Sequence, residues 1–553
     1  MNDSFDAPTC WLLILVILLT AVPFLNKAYH IDDTFVLAIT QEIINDPLNP
    51  LGGEIDWTGE VTPILETTTN PVFISYFLAP FAAISGFNEM VLHAAMMVFL
   101  LLLGFGAMAL SNRFANGSIY PVLFVLVSPA VMVSGNVMRD TPALGLAIAG
   151  LALFIQGTDK EHRPTLCAGA IFTGLAVMTK YSAIIMLPVL LLYPFFQRKY
   201  RLMIWVWPLF ALIALWCLHN QLWYGTMHMV FLAMQKHHMT PKPWQNKLWG
   251  MVMLFGSILY LIPLILYQEW TEKRWPTLAF LGLTGILTYF GVQTYWEGKA
   301  GFEYLFWSVT GGILLLFALW EGFRTGIAYI QNQEDGQAAD SLFLFAFLCA
   351  PVLFSIFFVP FQAVRHLLLA MVPLTILVFR SIELNSNWTR LGKGLCLGLL
   401  IVQGGMGFAV HYADTEYANV YRHFATFAKE AWAQPDQQTW YVGHWGWKYY
   451  ADRAGFQQVH RNRAFPKAGD ILLWPQYIHA GHGFETDPSF KANLELIQEI
   501  QAPGSIPLRT MNRFGAKFYA TIWCDTPYCL GQTMPLDTLQ VFRVREDYPQ
   551  PTP

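Results

Sequence analysis

The residues best suited to chemistry lie just after the first apolar run, in the segment His30-Ile31-Asp32-Asp33-Thr34-Phe35. Charged groups near hydrocarbon lose hydration, so they are retained where they pair, line a wet cavity or react. Partial desolvation raises the basicity of one member of an acidic pair, which would suit a general base for a hydroxyl or amine acceptor. Aspartate is also a common helix N-cap. The alternative is therefore that Asp32 or Asp33 caps the helix predicted over residues 33–45 and the other is exposed.

A second acid follows an arginine at the start of a later apolar run, in Arg139-Asp140-Thr141-Pro142. Asp140 is a candidate cap, because proline is favoured in the first turn of a helix. Arg139 either pairs with Asp140 or holds a phosphate that reaches the site from lipid.

Two further cationic positions sit at the ends of apolar runs. Lys180 separates two such runs, and it either snorkels to the headgroups or joins other cations at a site. Arg365-His366 presents the same alternatives, and Pro373 downstream predicts a kink near this position.

The composition defines the setting for these residues. The chain has 553 residues, of which 55% are hydrophobic and 13% charged, whereas a soluble domain carries about 25% charged residues. This composition predicts a polytopic membrane protein. A net charge of -4 provides no basic surplus for neutralising phosphates, so nucleic acid is not an expected partner. The first apolar run lacks a small-x-small cleavage site and is expected to remain as an anchor.

Apolar runs long enough to cross a bilayer predict about thirteen transmembrane helices. They cover residues 10–25, 90–110, 118–134, 141–157, 165–179, 181–197, 202–219, 248–268, 277–293, 301–320, 342–360, 364–380 and 393–411. The shorter run at 71–84 is predicted to lie along the membrane surface, within a first outer loop of residues 26–89.

Lysine and arginine are more frequent in the loops that face the cytoplasm if the N-terminus is inside. In that orientation the unusual charged residues share the outer face; they are Asp32, Asp33, Arg139, Asp140, Lys180, Arg365 and His366. Residues 1–411 then form the transmembrane domain. Residues 412–553 lie outside, where short β-prone runs predict a small α+β domain.

Two features of the C-terminal region leave alternatives open. Cys524 and Cys529 form a disulfide if the region is extracytoplasmic, or are free thiols. The aromatic run 443–450 either packs or stacks on sugar rings. The sequence has no phosphate loop, dinucleotide fingerprint or nucleophile elbow. The sequence does not firmly imply any cofactor. It offers no set of metal ligands, and a divalent metal is compatible with it.

The acidic outer loop, the surface helix, the many spans and the Thr-Lys-Tyr run ending at Tyr181 together resemble the GT-C membrane glycosyltransferases. More narrowly, the chain resembles the family of dolichyl-phosphate-mannose protein mannosyltransferases and bacterial lipid A aminoarabinose transferases. The resemblance covers roughly residues 10–410.

This resemblance implies that Asp32 is the catalytic base, with Asp33 beside it and Asp140 as a later acid at the second outer turn. The segment from Arg365 to Pro373 is similar to the Arg-Tyr-x-x-Pro-like segment of the family, with His366 in place of the aromatic residue.

The chain also departs from the family pattern. The run 68–72 replaces a histidine- or lysine-containing run with two prolines, and its Asn70 is a candidate substrate contact. Phe35 stands where the aminoarabinose enzymes have an arginine. The donor phosphate is therefore assigned to three other cations, which are Arg139, Lys180 and Arg365.

The resulting expectation is an inverting glycosyltransferase of the bacterial inner membrane. It would use a polyprenyl-phosphate sugar as donor and a lipid, glycan or protein as acceptor. One alternative is a transporter or flippase, which would be expected to show discontinuous helices in paired halves. The other is a non-catalytic assembly protein, which would tolerate loss of Asp32.

Overall fold

The computed structural model of the protein describes residues 6–57, 59–234, 242–331, 336–385, 389–433, 437–460, 464–478, 487–512, 517–521 and 524–547. The α-helices are α1 (Ala7–Ala21), α2 (Asp33–Asn45), α3 (Ile64–Thr67), α4 (Phe73–Ser85), α5 (Glu89–Phe114), α6 (Tyr120–Leu126), α7 (Pro129–Val133), α8 (Asp140–Lys160), α9 (Arg163–Thr179), α10 (Met186–Phe196), α11 (Trp207–Tyr224), α12 (His228–Met234), α13 (Trp244–Ile258), α14 (Ile262–Thr271), α15 (Trp275–Tyr295), α16 (Phe302–Gln331), α17 (Gly336–Phe358), α18 (Leu368–Asn385), α19 (Arg390–Trp432), α20 (Trp445–Ala454) and α21 (Pro488–Ala492). Short 3₁₀ helices cover Val22–Phe24, Tyr181–Ile185, Tyr200–Val206 and Val364–His366.

Helices long and apolar enough to cross a membrane confirm the predicted fold class. Within the described ranges there are eight, or nine if α13 and α14, which meet at a bend of 79°, form one broken span. Sequence hydropathy predicts about thirteen. Part of the difference between the two span counts arises at residues 118–134. Two short helices, α6 and α7, stand there in place of the single predicted span. Pro129 begins α7 and the Ser128 side chain accepts a hydrogen bond from the Val131 amide at 3.2 Å, so the chain caps a new helix there.

Helix α4 occupies most of the run that was predicted to lie along the membrane surface. It has 13 residues, contains Pro80 and ends at Gly86 in the left-handed conformation. The hydroxyl of Ser75 on α4 donates to the backbone oxygen of Val36 on α2 at 3.1 Å. Helix α4 therefore supports the helix that follows the acidic pair.

Helix α19 is 43 residues long and runs through residue 411, the predicted end of the transmembrane domain. Beyond that point its buried positions recur at helical spacing, including Asp414, Tyr417, Tyr421 and Phe424. This amphipathic stripe packs against the C-terminal region. The helix continues past the end of the apolar run because protein replaces lipid along one face.

The C-terminal region contains a small α+β unit, as predicted. Its five-stranded sheet has the order β4-β3-β5-β9-β6, in which β3 runs parallel to β4 and β5, and β9 is antiparallel to β5 and β6. The strands of the described chain are β1 (Glu54–Asp56), β2 (Val61–Pro63), β3 (Thr439–Tyr441), β4 (Gln457–Gln458), β5 (Ile471–Pro475), β6 (Leu494–Ala502), β7 (Leu508–Arg509), β8 (Cys529–Leu530) and β9 (Asp537–Val544). Within the aromatic run, Trp447 and Tyr450 are buried in the core of this unit.

Candidate functional site

The two adjacent aspartates have different surroundings. Asp32 directly precedes α2, but its side chain makes no capping hydrogen bond. That side chain is 39% exposed, and its Oδ2 accepts a hydrogen bond from the Arg365 guanidinium at 3.3 Å. Asp33 is fully buried, and its Oδ2 accepts from the His30 amide at 2.8 Å. Of the pair, Asp32 is the carboxylate that a substrate can reach.

Burial also determines the charge of Asp33. Removal from water raises the pKa of the Asp33 carboxyl to about 8, so it is mainly neutral at pH 7. Its Oδ1 has no hydrogen-bond partner in the described part of the chain. Its hydrogen bond with the His30 amide closes the turn that carries Asp32. The catalytic role of Asp33 stays a prediction.

Asp140 begins α8 and forms an ion pair with Lys180, which lies in the break between α9 and the 3₁₀ helix Tyr181–Ile185. The Lys180 Nζ to Asp140 Oδ1 distance is 2.5 Å, and the side chains are 19% and 8% exposed. The lysine therefore does not simply snorkel to headgroups. The alternative Arg139–Asp140 pair is not what the structure shows for Asp140.

Arg139 has donors that are not used within the described residues. Its guanidinium lies over the ring of Phe35, with the Cζ atom 5.7 Å from the ring centroid. Its Nε and Nη2 atoms are buried and have no hydrogen-bond partner among the described residues. Burial lowers the pKa of Arg139 to about 10, so the group remains charged at neutral pH. Buried donors of this kind normally have partners, and a guanidinium fork matches phosphate oxygens.

A partly open cavity of about 500 Å³ brings part of this set together, and Arg139 is not among its lining residues. Four of the residues singled out from the sequence line it, which are Asp140, Lys180, Arg365 and His366. The ring of His366 lies 5.5 Å from that of Phe361. Through its contact with Arg365, Asp32 lies next to this cavity. Charges from the segment 26–89 and from three separate inter-helix turns thus converge at one place.

The other candidate residues lie apart from this cluster. The Asn70 side-chain amide donates to the neighbouring Thr69 hydroxyl at 3.0 Å, and no hydrogen bond links that side chain to the charged cluster within the described residues. The disulfide predicted between Cys524 and Cys529 is not formed, and both are free thiols. Their sulfur atoms have different neighbours: that of Cys529 lies 3.1 Å from the Thr526 hydroxyl, and that of Cys524 lies 3.9 Å from the Lys299 carbonyl oxygen.

Sequence reasoning missed a buried polar network behind the acidic pair. Lys27 Nζ contacts Asp414 Oδ2 at 2.5 Å and Asn136 Oδ1 at 2.6 Å. The hydroxyls of Thr510 and Tyr519 donate to the two oxygens of Asp414, each at 2.7 Å. The available signal was a lysine directly after the first span and a single acid in the buried stripe of α19.

Metal binding receives no support from side-chain clustering in the described ranges. No group of three or more His, Cys, Asp or Glu side chains there is placed to hold a metal ion.

Part of the chain is similar to a known protein family. Residues 69–240 match the model of the dolichyl-phosphate-mannose-protein mannosyltransferase family. One similar structure is the archaeal oligosaccharyltransferase AglB from Archaeoglobus fulgidus, solved with an inhibitory peptide and a dolichol-phosphate. It aligns with a TM-score of 0.50 and 10% sequence identity, over 82% of this chain and 64% of its own. The present chain thus spans less than two thirds of that protein.

A second similar structure is apo ArnT from Cupriavidus metallidurans. It aligns with a TM-score of 0.41 and 15% identity over 89% of this chain and 96% of its own. No curated protein sequence matches the chain. The family match and the AglB fold confirm the resemblance to GT-C membrane glycosyltransferases of the protein mannosyltransferase type.

Proposed function

We propose that this protein is an inverting glycosyltransferase that moves one sugar from a polyprenyl-phosphate donor to an acceptor at the extracytoplasmic face of the membrane. The observation that carries the proposal is the contact between a partly exposed acid, Asp32, and Arg365, which lines the charged cavity. A base for the acceptor and cations for a phosphate are therefore adjacent. The family match supports the same reaction class.

The chemistry follows from the positions of these groups. An acceptor hydroxyl or amine attacks the anomeric carbon while Asp32 takes its proton. The bond between the anomeric carbon and the phosphate oxygen breaks, and its electron pair leaves on the phosphate. A single displacement of this kind inverts the anomeric carbon. Arg139, Lys180 and Arg365 stabilise the charge that develops on the leaving phosphate.

The remaining candidates take supporting roles in this proposal. Asp140 holds Lys180 in place through their ion pair. His366 lines the cavity and would contact the sugar or the acceptor. Asn70 is kept as a substrate contact from the resemblance alone.

The donor lipid and the orientation are also part of the proposal. The family is named for a dolichyl-phosphate sugar donor, and the AglB structure holds a dolichol-phosphate. The acceptor would be a lipid, a glycan or a protein. The resemblance to bacterial members of the family favours a bacterial inner membrane. We propose an N-terminus in the cytoplasm and residues 412–553 outside, because the site-forming charges then share the outer face.

The test is sugar transfer by the purified protein from a panel of polyprenyl-phosphate sugars. Wild type is expected to transfer or hydrolyse one donor. Asp32→Asn should bind that donor and lose roughly 10²- to 10⁴-fold in turnover, as expected for loss of a general base. Asp46→Asn is the matched control, because Asp46 is an exposed residue at the opposite end of α2.

Two results would reject the proposal. One is that no donor in the panel is bound or turned over. The other is that Asp32→Asn works as well as wild type and Asp46→Asn. Flux of a lipid-linked sugar across reconstituted vesicles without transfer would then identify a transporter.

A further inference from the structure

The segment Lys27–His30, which leads into the proposed catalytic base, is anchored by groups far along the chain. The Ala28 amide donates to Asn419 Oδ1 at 3.0 Å, and the Tyr29 amide donates to the Tyr450 hydroxyl at 2.9 Å. All four residues of the segment are almost fully buried. Asn419 belongs to the C-terminal half of α19 and Tyr450 to α20. The backbone before the acidic pair is therefore fixed by C-terminal elements.

A strained residue follows this anchored segment. Ile31 has a φ of 48°, in the left-handed region that β-branched residues avoid. Such a conformation is strained and persists only where the surroundings determine it. The next residue is Asp32. The hydrogen bonds on Ala28 and Tyr29, together with that from the His30 amide to Asp33, fix the turn that directs Asp32 toward Arg365.

The buried network holds the first residue of the segment. Lys27 is paired with Asp414, whose oxygens also accept from Thr510 and Tyr519. Asn136 joins the same network by accepting from Lys27 and donating to the Tyr519 hydroxyl at 2.9 Å. Because Asn136 lies three residues before Arg139, this network also connects with the turn that carries a proposed phosphate-binding cation.

Close packing adds a further constraint at the start of α20. A Cβ atom at Gly446 would lie 2.3 Å from the backbone oxygen of Tyr29. This distance is far below van der Waals contact. The clash would be with a backbone atom, which cannot move away as a flexible side chain could. Glycine at position 446 therefore allows α20 to pack directly against the segment Lys27–His30.

We propose that the C-terminal region positions the turn that carries the catalytic base, Asp32. Asp414, Tyr450 and Gly446 act through the segment Lys27–His30 to hold Asp32 in its reactive position, so turnover depends on them more than donor binding does. This inference rests on the proposed glycosyltransferase function. It makes residues 412–553 part of the active unit, because they supply the groups that order the loop.

Tyr450→Phe and Gly446→Ala test this proposal in the full-length protein. Tyr450→Phe removes the hydroxyl that accepts from the Tyr29 amide and keeps the ring. Gly405→Ala is the matched control, since a Cβ atom at Gly405 would meet no atom within 4 Å. With folding checked by thermal denaturation, we expect kcat to fall roughly 10- to 100-fold in the two test variants, as for a small misplacement of a catalytic group. The donor KM and the Kd for polyprenyl phosphate should stay near the wild-type values.

Hydrogen–deuterium exchange over residues 26–36 gives a readout independent of activity. Faster exchange in Tyr450→Phe and Gly446→Ala, together with the selective fall in kcat, supports the proposal. Unchanged exchange, or faster exchange with wild-type kcat, overturns it. Donor affinity that falls as much as kcat also overturns it. If wild type transfers no sugar, the proposed function fails together with the positioning role, while the exchange data still decide whether Tyr450 and Gly446 anchor the segment.

Discussion

Replacing Lys180 with methionine separates structural and functional contributions of the Lys180–Asp140 pair. Removing one partner of a buried ion pair costs about 3–5 kcal/mol, because the other charge stays buried without compensation. Asp140 is 8% exposed and Lys180 19%, and the charge of Arg365 also acts on Asp140. We therefore expect Lys180→Met to lower the free energy of unfolding by about 2–3 kcal/mol, at or below the bottom of that range.

The double variant Lys180→Met/Asp140→Asn removes both charges and should recover most of that stability. Donor binding should not recover with it. A hydrogen bond to a charged group contributes about 1.5–3 kcal/mol, which corresponds to roughly 10- to 150-fold in Kd. Stability is measured by thermal denaturation in detergent, and affinity by titration with undecaprenyl phosphate.

The control for this cycle is Lys199→Met. It breaks a more exposed ion pair, in which Lys199 Nζ lies 3.2 Å from Glu161 Oε1. It should leave the Kd unchanged. If the double variant binds undecaprenyl phosphate as tightly as wild type, Lys180 is not a phosphate ligand and its pairing with Asp140 is structural. If Lys180→Met is as stable as wild type, the pair contributes no net stabilisation.

Three further predictions concern Arg139, Asp33 and the two C-terminal cysteines. Arg139→Lys keeps the charge but loses the planar fork of donors, so the donor Kd should rise roughly tenfold in the same titration; an unchanged Kd contradicts the phosphate assignment. Folding raises the pKa of the Asp33 carboxyl from 3.8 to about 8. Its contribution to the free energy of unfolding is therefore complete below about pH 4 and is lost as pH rises through about 8. Thermal denaturation from pH 5 to 9 should show wild type losing stability relative to Asp33→Asn, and parallel pH profiles would contradict this. Cys524 and Cys529 should react as free thiols with a membrane-impermeant maleimide added outside intact cells, monitored by mass spectrometry; labelling only after lysis would contradict the proposed orientation.

The convergence of the charged site was predictable because it depends on topology. Charges are costly at the ends of apolar spans, and the loop bias assigned Asp32, Asp140, Lys180 and Arg365 to one face. Their pairing was not predictable. Lys180 joins Asp140, and Arg365 joins Asp32, although each pair is distant in sequence. Both partnerships depend on how the helices pack, which hydropathy does not report.

The span count and the end of the last span show a related limit. Hydropathy averages over a window, so the capped break at Ser128 between α6 and α7 is invisible to it. The same average ends the last span at residue 411, whereas α19 continues to Trp432. The continuation is stabilised by burial of one helical stripe against protein, and its partners lie in the C-terminal region. For that reason Asp414 and its network were missed.

The difference between Asp32 and Asp33 explains how the site can remain balanced in charge during the proposed reaction. Successive residues at a helix start point about 100° apart, so Asp33 is buried and mainly neutral while Asp32 is partly exposed and contacts Arg365. Counted by formal charge, the three cations exceed Asp32 and Asp140 by one, which matches a polyprenyl phosphodiester carrying one negative charge. When the sugar leaves, the phosphate gains negative charge as Asp32 gains a proton. The site becomes more positive at the moment its ligand becomes more negative, and this coupling stabilises the transition state specifically.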